Sequence, residues 1–282
     1  MKHPEKWRET ADPYTLPYQH FSLLEVLGYP HASNDVFQVK GLYRGKETEA
    51  YIKVARRRDA DLTNEINIIR SIHCELAPEI IDHDEEKKQF CVSLAKPGLR
   101  LSMILGDNAD LASLDYLYEY GQTLAKLHAQ KGTFPDVKDR KFFHIPDQQF
   151  FAEQELAPVY GYLVANQPKT IQKCFCHGDF HYANILWQDK HMSAILDFEL
   201  SGRGNREFDI AWALIRRPGQ RFLKTEKEIS LFLDGYLSMG SCNIDVVKYY
   251  MILIYSYFYA VGDDDPEYQS YVRNVFSGYG IL

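Results

Sequence analysis

The spacing of apolar residues changes once along this 282-residue chain, and that change limits the possible folds more than any other feature. From Phe21 to Val92 short runs alternate apolar with polar residues: FSLLEVL from Phe21, DVFQVKGLY from Asp35, EAYIKVA from Glu49 and QFCVSLA from Gln89. Such runs, rich in β-branched and aromatic residues, offer one face of a pleated strand to a core. One helix interrupts them, because Leu62, Ile66, Ile69 and Ile72 recur at helical spacing. KPG at Lys96–Gly98 then breaks the last strand. Beyond Gly98 the pattern is helical. Leu114, Leu117, Gly121, Leu124 and Leu127 share one helix face that ends near His128, and further helices are expected to begin near Asp147, Arg206, Lys224, Asp245 and Pro266. Short strands are expected only around Lys173–Cys176 and in a pair, Ile185–Trp187 with Ala194–Leu196, joined by the QDKHM turn. The predicted plan is α+β: a β-rich lobe over residues 1–95, a hinge at Ser93–Gly98, and a larger helical lobe over residues 96–282.

The chain totals exclude several partners. Hydrophobic residues at 45% with charged residues at 25% describe a globular chain rather than a disordered one. The net charge of −7 disfavours a nucleic-acid partner, and Arg56-Arg57-Arg58 reads as a solvated approach to the helix. The most apolar run, MILIYSYFYAVG from Met251, is short and tyrosine-rich for a bilayer span, so no membrane partner is expected. Five cysteines without regular spacing fit reduced thiols, and MKHPEKWRET lacks a signal-type apolar stretch; a cytoplasmic location is the expectation. The oligomeric state is left open.

The densest chemistry lies in CFCHGDFHYANILW, residues 174–187. Asp179 is followed by Asn184 and then by Asp197, which closes the strand AIL. Phosphoryl transfer needs a carboxylate to orient or deprotonate an acceptor hydroxyl, and hard oxygen ligands for Mg²⁺. Pairing ILW with AIL brings Asn184 and Asp197 to one end of a hairpin. Zinc held by Cys174, Cys176, His177 and His181 is the competing reading, but C-x-C on a strand turns both thiols to one face and His177 to the other. The cysteines fit better as small core residues.

HGDFHYAN (His177–Asn184) followed by ILDFE (Ile195–Glu199) resembles the signature of the aminoglycoside phosphotransferase and choline kinase superfamily, a branch of the protein-kinase-like fold. REFDIAW (Arg206–Trp212) resembles a further segment of that family, with Arg206 and Glu207 replacing its usual Asp-Pro, and LAKLH (Leu124–His128) resembles the end of one of its helices. The resemblance implies a two-lobed kinase-like fold that uses ATP or GTP with Mg²⁺. It implies Asp179 as catalytic base, Asn184 and Asp197 as metal ligands, and Asp209 holding the His177–Asp179 loop, with His177 and His181 in support. Lys53, mid-strand in YIKVA, needs a partner to offset desolvation. With Glu65 on the following helix it looks like the pair that orients the α- and β-phosphates. Ser33 and Asn34 stand where a turn could offer backbone N–H groups to phosphate, or simply form a hairpin. Adenine is expected against the backbone at Ser93 and Ala95.

The acceptor is the least constrained part. Glu199, Glu207, Asp263 and Asp264, with Asp265 and Glu267, are the candidate acids, and an acidic cleft would suit a polycationic aminoglycoside. Runs such as DDD are more often solvated loops. Aromatic residues reach 14%, and a ring cage with one acid would suit a quaternary ammonium such as choline; Tyr250, Ile254 and Phe258 also fit a core stripe. A protein kinase fits poorly, because Asp197 to Asp209 is short for an activation segment and Glu199 follows Phe198 where glycine is usual. The expectation is therefore a small-molecule kinase acting on a hydroxyl, with an aminoglycoside-type antibiotic as acceptor. Choline, another amino alcohol or a sugar is the alternative, and a nucleotide-binding module without catalysis is the remaining class.

Overall fold

The alternating N-terminal runs pair into one antiparallel sheet of order β1-β2-β3-β5-β4: β1 (Phe21–Gly28), β2 (Asp35–Tyr43), β3 (Lys46–Val54), β4 (Ile80–His83) and β5 (Phe90–Leu94). The computed structural model describes residues 11–30, 34–56, 60–87, 89–262 and 265–282. The register sets Val36 opposite Lys53 and Phe37 opposite Ile52, so one sheet face carries Phe37, Val39, Ala50, Ile52, Phe90 and Val92, all fully buried. Strand β4, IIDH, has no counterpart in the sequence reading. It is four residues long and followed by acids, and it is fixed by tertiary bonding: the buried carboxylate of Asp82 accepts from Gln19, His20 and Phe21 N–H at 2.7–2.9 Å.

Between β3 and β4, α1 (Leu62–Ser71) begins where Asp61 accepts from Asn64 N–H, which leaves Glu65 buried in its first turn. Its far end joins the other lobe, since Ile68 and Ile72 belong to the large C-terminal core while the sheet keeps a separate apolar cluster. That core is built by short β6 (Leu99–Arg100), α2 (Leu101–Ile104) and α3 (Ala109–Ala112), then α4 (Leu114–His128), α5 (Gln148–Glu153) and α6 (Ala157–Ala165). Next come β7 (Lys173–Cys176), β8 (Ile185–Gln188), β9 (His191–Ile195) and β10 (Gly202–Asn205). Helices α7 (Arg206–Leu214), α8 (Glu226–Met239), α9 (Ile244–Val261) and α10 (Pro266–Gly278) complete it. The fold is two-lobed and kinase-like, with a small β-rich lobe and a larger helical one.

Two close approaches organise the helical lobe. Helices α4 and α8 touch backbone to backbone: a Cβ on Gly121 would stand 2.0 Å from Phe232 O, and one on Gly235 would stand 2.0 Å from Tyr118 O. Strand β10, GRGN, pairs antiparallel with β7 from Gly202↔Cys176 to Asn205↔Lys173. It was invisible in the sequence because glycine carries no strand preference. By length and composition α9 is apolar enough to cross a membrane, which corrects the view that no run is long enough. Its residues Val247 to Ser256, Lys248 excepted, are buried in the helical core, which accounts for their apolarity.

Candidate active site

The hairpin of β8 and β9 delivers the first part of the site. Ile185 lies opposite Ile195, and Leu196 N–H donates to Asn184 O at 2.8 Å, so Asn184 and Asp197 emerge at the same end. The turn between the strands places Asp189 and Lys190 both at positive φ, the twist a two-residue hairpin requires. Asp197 also has positive φ (66°), a backbone state aspartate tolerates, and its carboxylate is turned to Lys53 at 2.7 Å. Lys53 Nζ meets Glu65 at 2.7 Å and Glu199 at 3.2 Å as well. Burial opposes the charge of Lys53, but Glu65, Asp197 and Glu199 hold its ammonium well above the ordinary lysine value.

The loop before Asn184 is held from behind. Asp209 accepts from His177 N–H (2.9 Å) and Gly178 N–H (3.0 Å), and from His128 Nε2 at 3.2 Å. Tyr236 in turn donates to His128 Nδ1 at 2.8 Å. Gly178 has φ +81°, and a Cβ there would meet Leu200 O at 2.3 Å, so this turn admits only glycine. His177 Nδ1 accepts from Asp179 N–H and its Nε2–H donates to Leu196 O, which fixes the tautomer. Burial pushes this imidazole below the usual histidine value, against the pull of Asp209 and Asp179.

Asp179 stands at the front of the loop. Trp212 Nε1–H donates to its Oδ1 at 2.8 Å, Asn184 Nδ2 donates to its Oδ2 at 3.1 Å, and His181 Nε2 lies 3.5 Å from Oδ2. Burial alone would raise its pKa. The His181 hydrogen bond and charge, Arg217 and the Trp212 hydrogen bond outweigh that and hold the carboxyl well below the usual carboxylate range. Because Asn184 presents its NH₂ to Asp179, its amide oxygen remains a hard donor. With the Asp197 carboxylate, that is an oxygen pair of the type Mg²⁺ takes. Carboxylate oxygens of Glu65, Asp197 and Glu199 lie within 4.8 Å of one another, with Lys53 among them.

Other residues named from the sequence fall elsewhere. Glu199 is buried on the Lys53 side, accepting from Asn34 Nδ2 (2.9 Å) and Asp61 N–H (3.1 Å), rather than lining an open acceptor surface. The side chain of Asn34 is thereby committed to Glu199. Glu207 is buried against Arg206 at 2.6 Å and lines a separate groove with Asn243 and Cys242. Ser93 lies within β5, paired to Tyr51 and Ile80, and Ala95 N–H already donates to Glu49 O at 3.0 Å because strand pairing runs one residue past β5. Ser33, Asp263 and Asp264 lie outside the described residues. The thiols of Cys174 and Cys176 share one face of β7, 3.8 Å apart; the imidazole beside them is His128, not His177.

Three residues beside Asp179 were not singled out from sequence: Trp212, Arg140 and Arg217. Trp212 lay within the quoted REFDIAW segment, and position in that motif was the available signal. The arginines carry no motif at all.

Comparison with known proteins follows this geometry. The sequence profile described as "Phosphotransferase enzyme family" matches residues 26–239. An aminoglycoside 3'-phosphotransferase from Enterococcus faecalis is 26% identical over 171 residues, a match covering 60% of each chain. Among solved structures, a choline/ethanolamine kinase family protein from Mesorhizobium loti superposes with TM-score 0.53 at 16% identity, covering 94% of this chain and 87% of that one. A thermostable mutant of aminoglycoside phosphotransferase APH(4)-Ia, in ternary complex with ADP and hygromycin B, gives 0.58 at 12% identity, covering 92% and 93%.

Proposed function

Because the chain belongs to the phosphotransferase enzyme family, we propose that it is a small-molecule kinase that moves the γ-phosphoryl group of ATP or GTP to a hydroxyl of a small acceptor. The observation that carries this reading is the convergence of Lys53, Glu65 and Asp197 from a strand, a helix and a hairpin end, with Asp179 tied to Asn184 beside them. Lys53, held by Glu65, would pair with the α- and β-phosphates. Asn184 and Asp197 would hold Mg²⁺, which neutralises phosphate charge when bound. Asp179 orients the acceptor hydroxyl and takes its proton as the oxygen bonds to the γ-phosphorus. The bond from that phosphorus to the β–γ bridging oxygen breaks, and the nucleoside diphosphate leaves. A carboxylate held ionised by its surroundings can accept a hydrogen bond from the hydroxyl throughout the reaction, and placement supplies most of the rate.

The Enterococcus relative supports an aminoglycoside-type acceptor only at the level of 26% identity. Support for nucleotide use comes from the family and from an ADP complex of a protein that shares the fold. The test is Asp179→Asn. Affinity for Mg·ATP, by calorimetry, is expected to stay within about twofold, while kcat falls by about a hundredfold or more. Equal loss of binding and turnover would remove Asp179 from the role of base.

A further inference from the structure

The acceptor side of Asp179 is cationic. Trp212, whose indole donates to Asp179, has the guanidinium carbon of Arg140 at 4.8 Å and that of Arg217 at 5.0 Å from its ring centroid. Arg140 comes from the loop before the single helical turn Lys141–Phe143, and Arg217 from the segment after α7. The two therefore reach the same ring from segments well separated in the sequence. Lys141 adds a third cation over Phe142 and Tyr257, and Phe142 in turn contacts Trp212.

These half-buried arginines lack the carboxylate partners that arginines inside a protein normally have. Nη2 of Arg140 is buried without a hydrogen-bond acceptor among the described residues, and that guanidinium is surrounded by the rings of Phe143, Phe208 and Trp212. Among the described residues, the guanidinium of Arg217 donates to two neutral carbonyls, Ile215 O and Trp212 O, each at 3.3 Å. Neither makes an ion pair with a described carboxylate. The carboxylates whose fields reach Arg140 are Asp179 and Asp209, and both are already committed to the loop. An unsatisfied buried donor is destabilising, and arginine stays charged under burial. Five N–H groups in a rigid fork match a carboxylate or phosphate bidentately, and aromatic surroundings strengthen that pairing by excluding water.

Resting on the kinase reading above, we propose that the acceptor carries an oxyanion, a carboxylate or a phosphate, beside its reacting hydroxyl, and that Arg140 and Arg217 bind it. The same charges disfavour a polycation next to Asp179, and two of the candidate acids, Glu199 and Glu207, are spent on Lys53 and Arg206. Arg140 and Arg217 thus set acceptor specificity, while Asp179 faces the hydroxyl.

The test uses probes that share one sugar ring and differ in charge. Enzyme saturated with Mg·AMP-PNP is titrated calorimetrically with glucuronate, glucose 6-phosphate, glucose and glucosamine, and with kanamycin as polycation. Glucuronate or glucose 6-phosphate is expected to bind at least about tenfold tighter than glucose, with an affinity that falls as salt rises; which of the two is tighter separates carboxylate from phosphate. Arg140→Gln and Arg217→Gln should each weaken the anionic probe about tenfold and leave AMP-PNP affinity unchanged. Arg140→Lys, which keeps the charge but not the fork, should fall between, and it serves if Arg140→Gln does not fold. Tighter binding of glucosamine or kanamycin, no saturable binding of either anion, or losses confined to AMP-PNP would each overturn the proposal. Mg·ATP hydrolysis by the same preparations separates the two claims. Arginine-dependent anion binding without nucleotide binding or hydrolysis removes the kinase reading alone, whereas nucleotide turnover with arginine-independent acceptors removes the anion site alone.

Discussion

At the scale of single residues, the loop shows how burial and hydrogen bonding decide which groups keep their charge. Asp179 is stabilised as an anion by His181, Arg217 and Trp212, whereas His177, a few ångströms away, is kept neutral by burial. Both have folded pKa values below their unfolded ones, so both make the unfolded state bind more protons in acid. For His177 the stability it allows is fully present above its unfolded pKa of about 6.5 and declines as pH falls below that. Urea unfolding of the wild type should therefore give ΔG level from pH 8 to 7 and dropping from about 6.5 downwards. His177→Asn, which removes the titration, should be less stable at pH 8 and show a shallower slope. A wild-type stability that rises on acidification through this range would contradict the buried neutral assignment. The proximity of Asn184 and Asp197 was legible in the sequence because they flank one hairpin, where local pairing dictates proximity, and Asp179 lies in the short loop leading into it. The fates of Glu199 and Glu207 were not: a sequence shows a charge but not the partner that neutralises it.

At the scale of elements, the crossing of α4 and α8 depends on two glycines that read as ordinary helix residues. Gly121 fell on the apolar face recognised from spacing, yet its reason is contact with the backbone of α8 rather than burial of a side chain. Gly121→Ala and Gly235→Ala each drive a methyl into a carbonyl that cannot move without its helix. Each should cost about 2 kcal/mol, seen as a lower urea midpoint at unchanged m-value. Neutral substitutions at both sites would mean that the helices lie farther apart. Strands β4 and β10 escaped the sequence reading for a related reason. Asp82 fixes one and pairing with β7 fixes the other, and both bonds come from distant residues.

At the scale of the whole molecule, Lys53 and Glu199 clasp the two lobes. Lys53 on the sheet bonds Asp197, Glu199 accepts from Asn34 and Asp61, and Asn64 donates to the carbonyls of Glu199 and Ser201. Lys53→Met leaves Glu65 and Glu199 buried without their cation, and should cost about 3 kcal/mol as well as Mg·ATP affinity. Glu199→Gln, which keeps hydrogen bonding, should cost much less; equal losses would show that the clasp works through packing rather than charge. The sequence by itself determined the two-lobed plan and the chain positions of Lys53, Glu65, Asp179, Asn184, Asp197 and Asp209, because periodicity and short spacings are local properties. Only the tertiary structure decided which charges remain open. Arg140 and Arg217 are far apart in the chain and meet at Trp212, and Glu199 and Glu207 are consumed by partners, because neutralisation depends on neighbours in space.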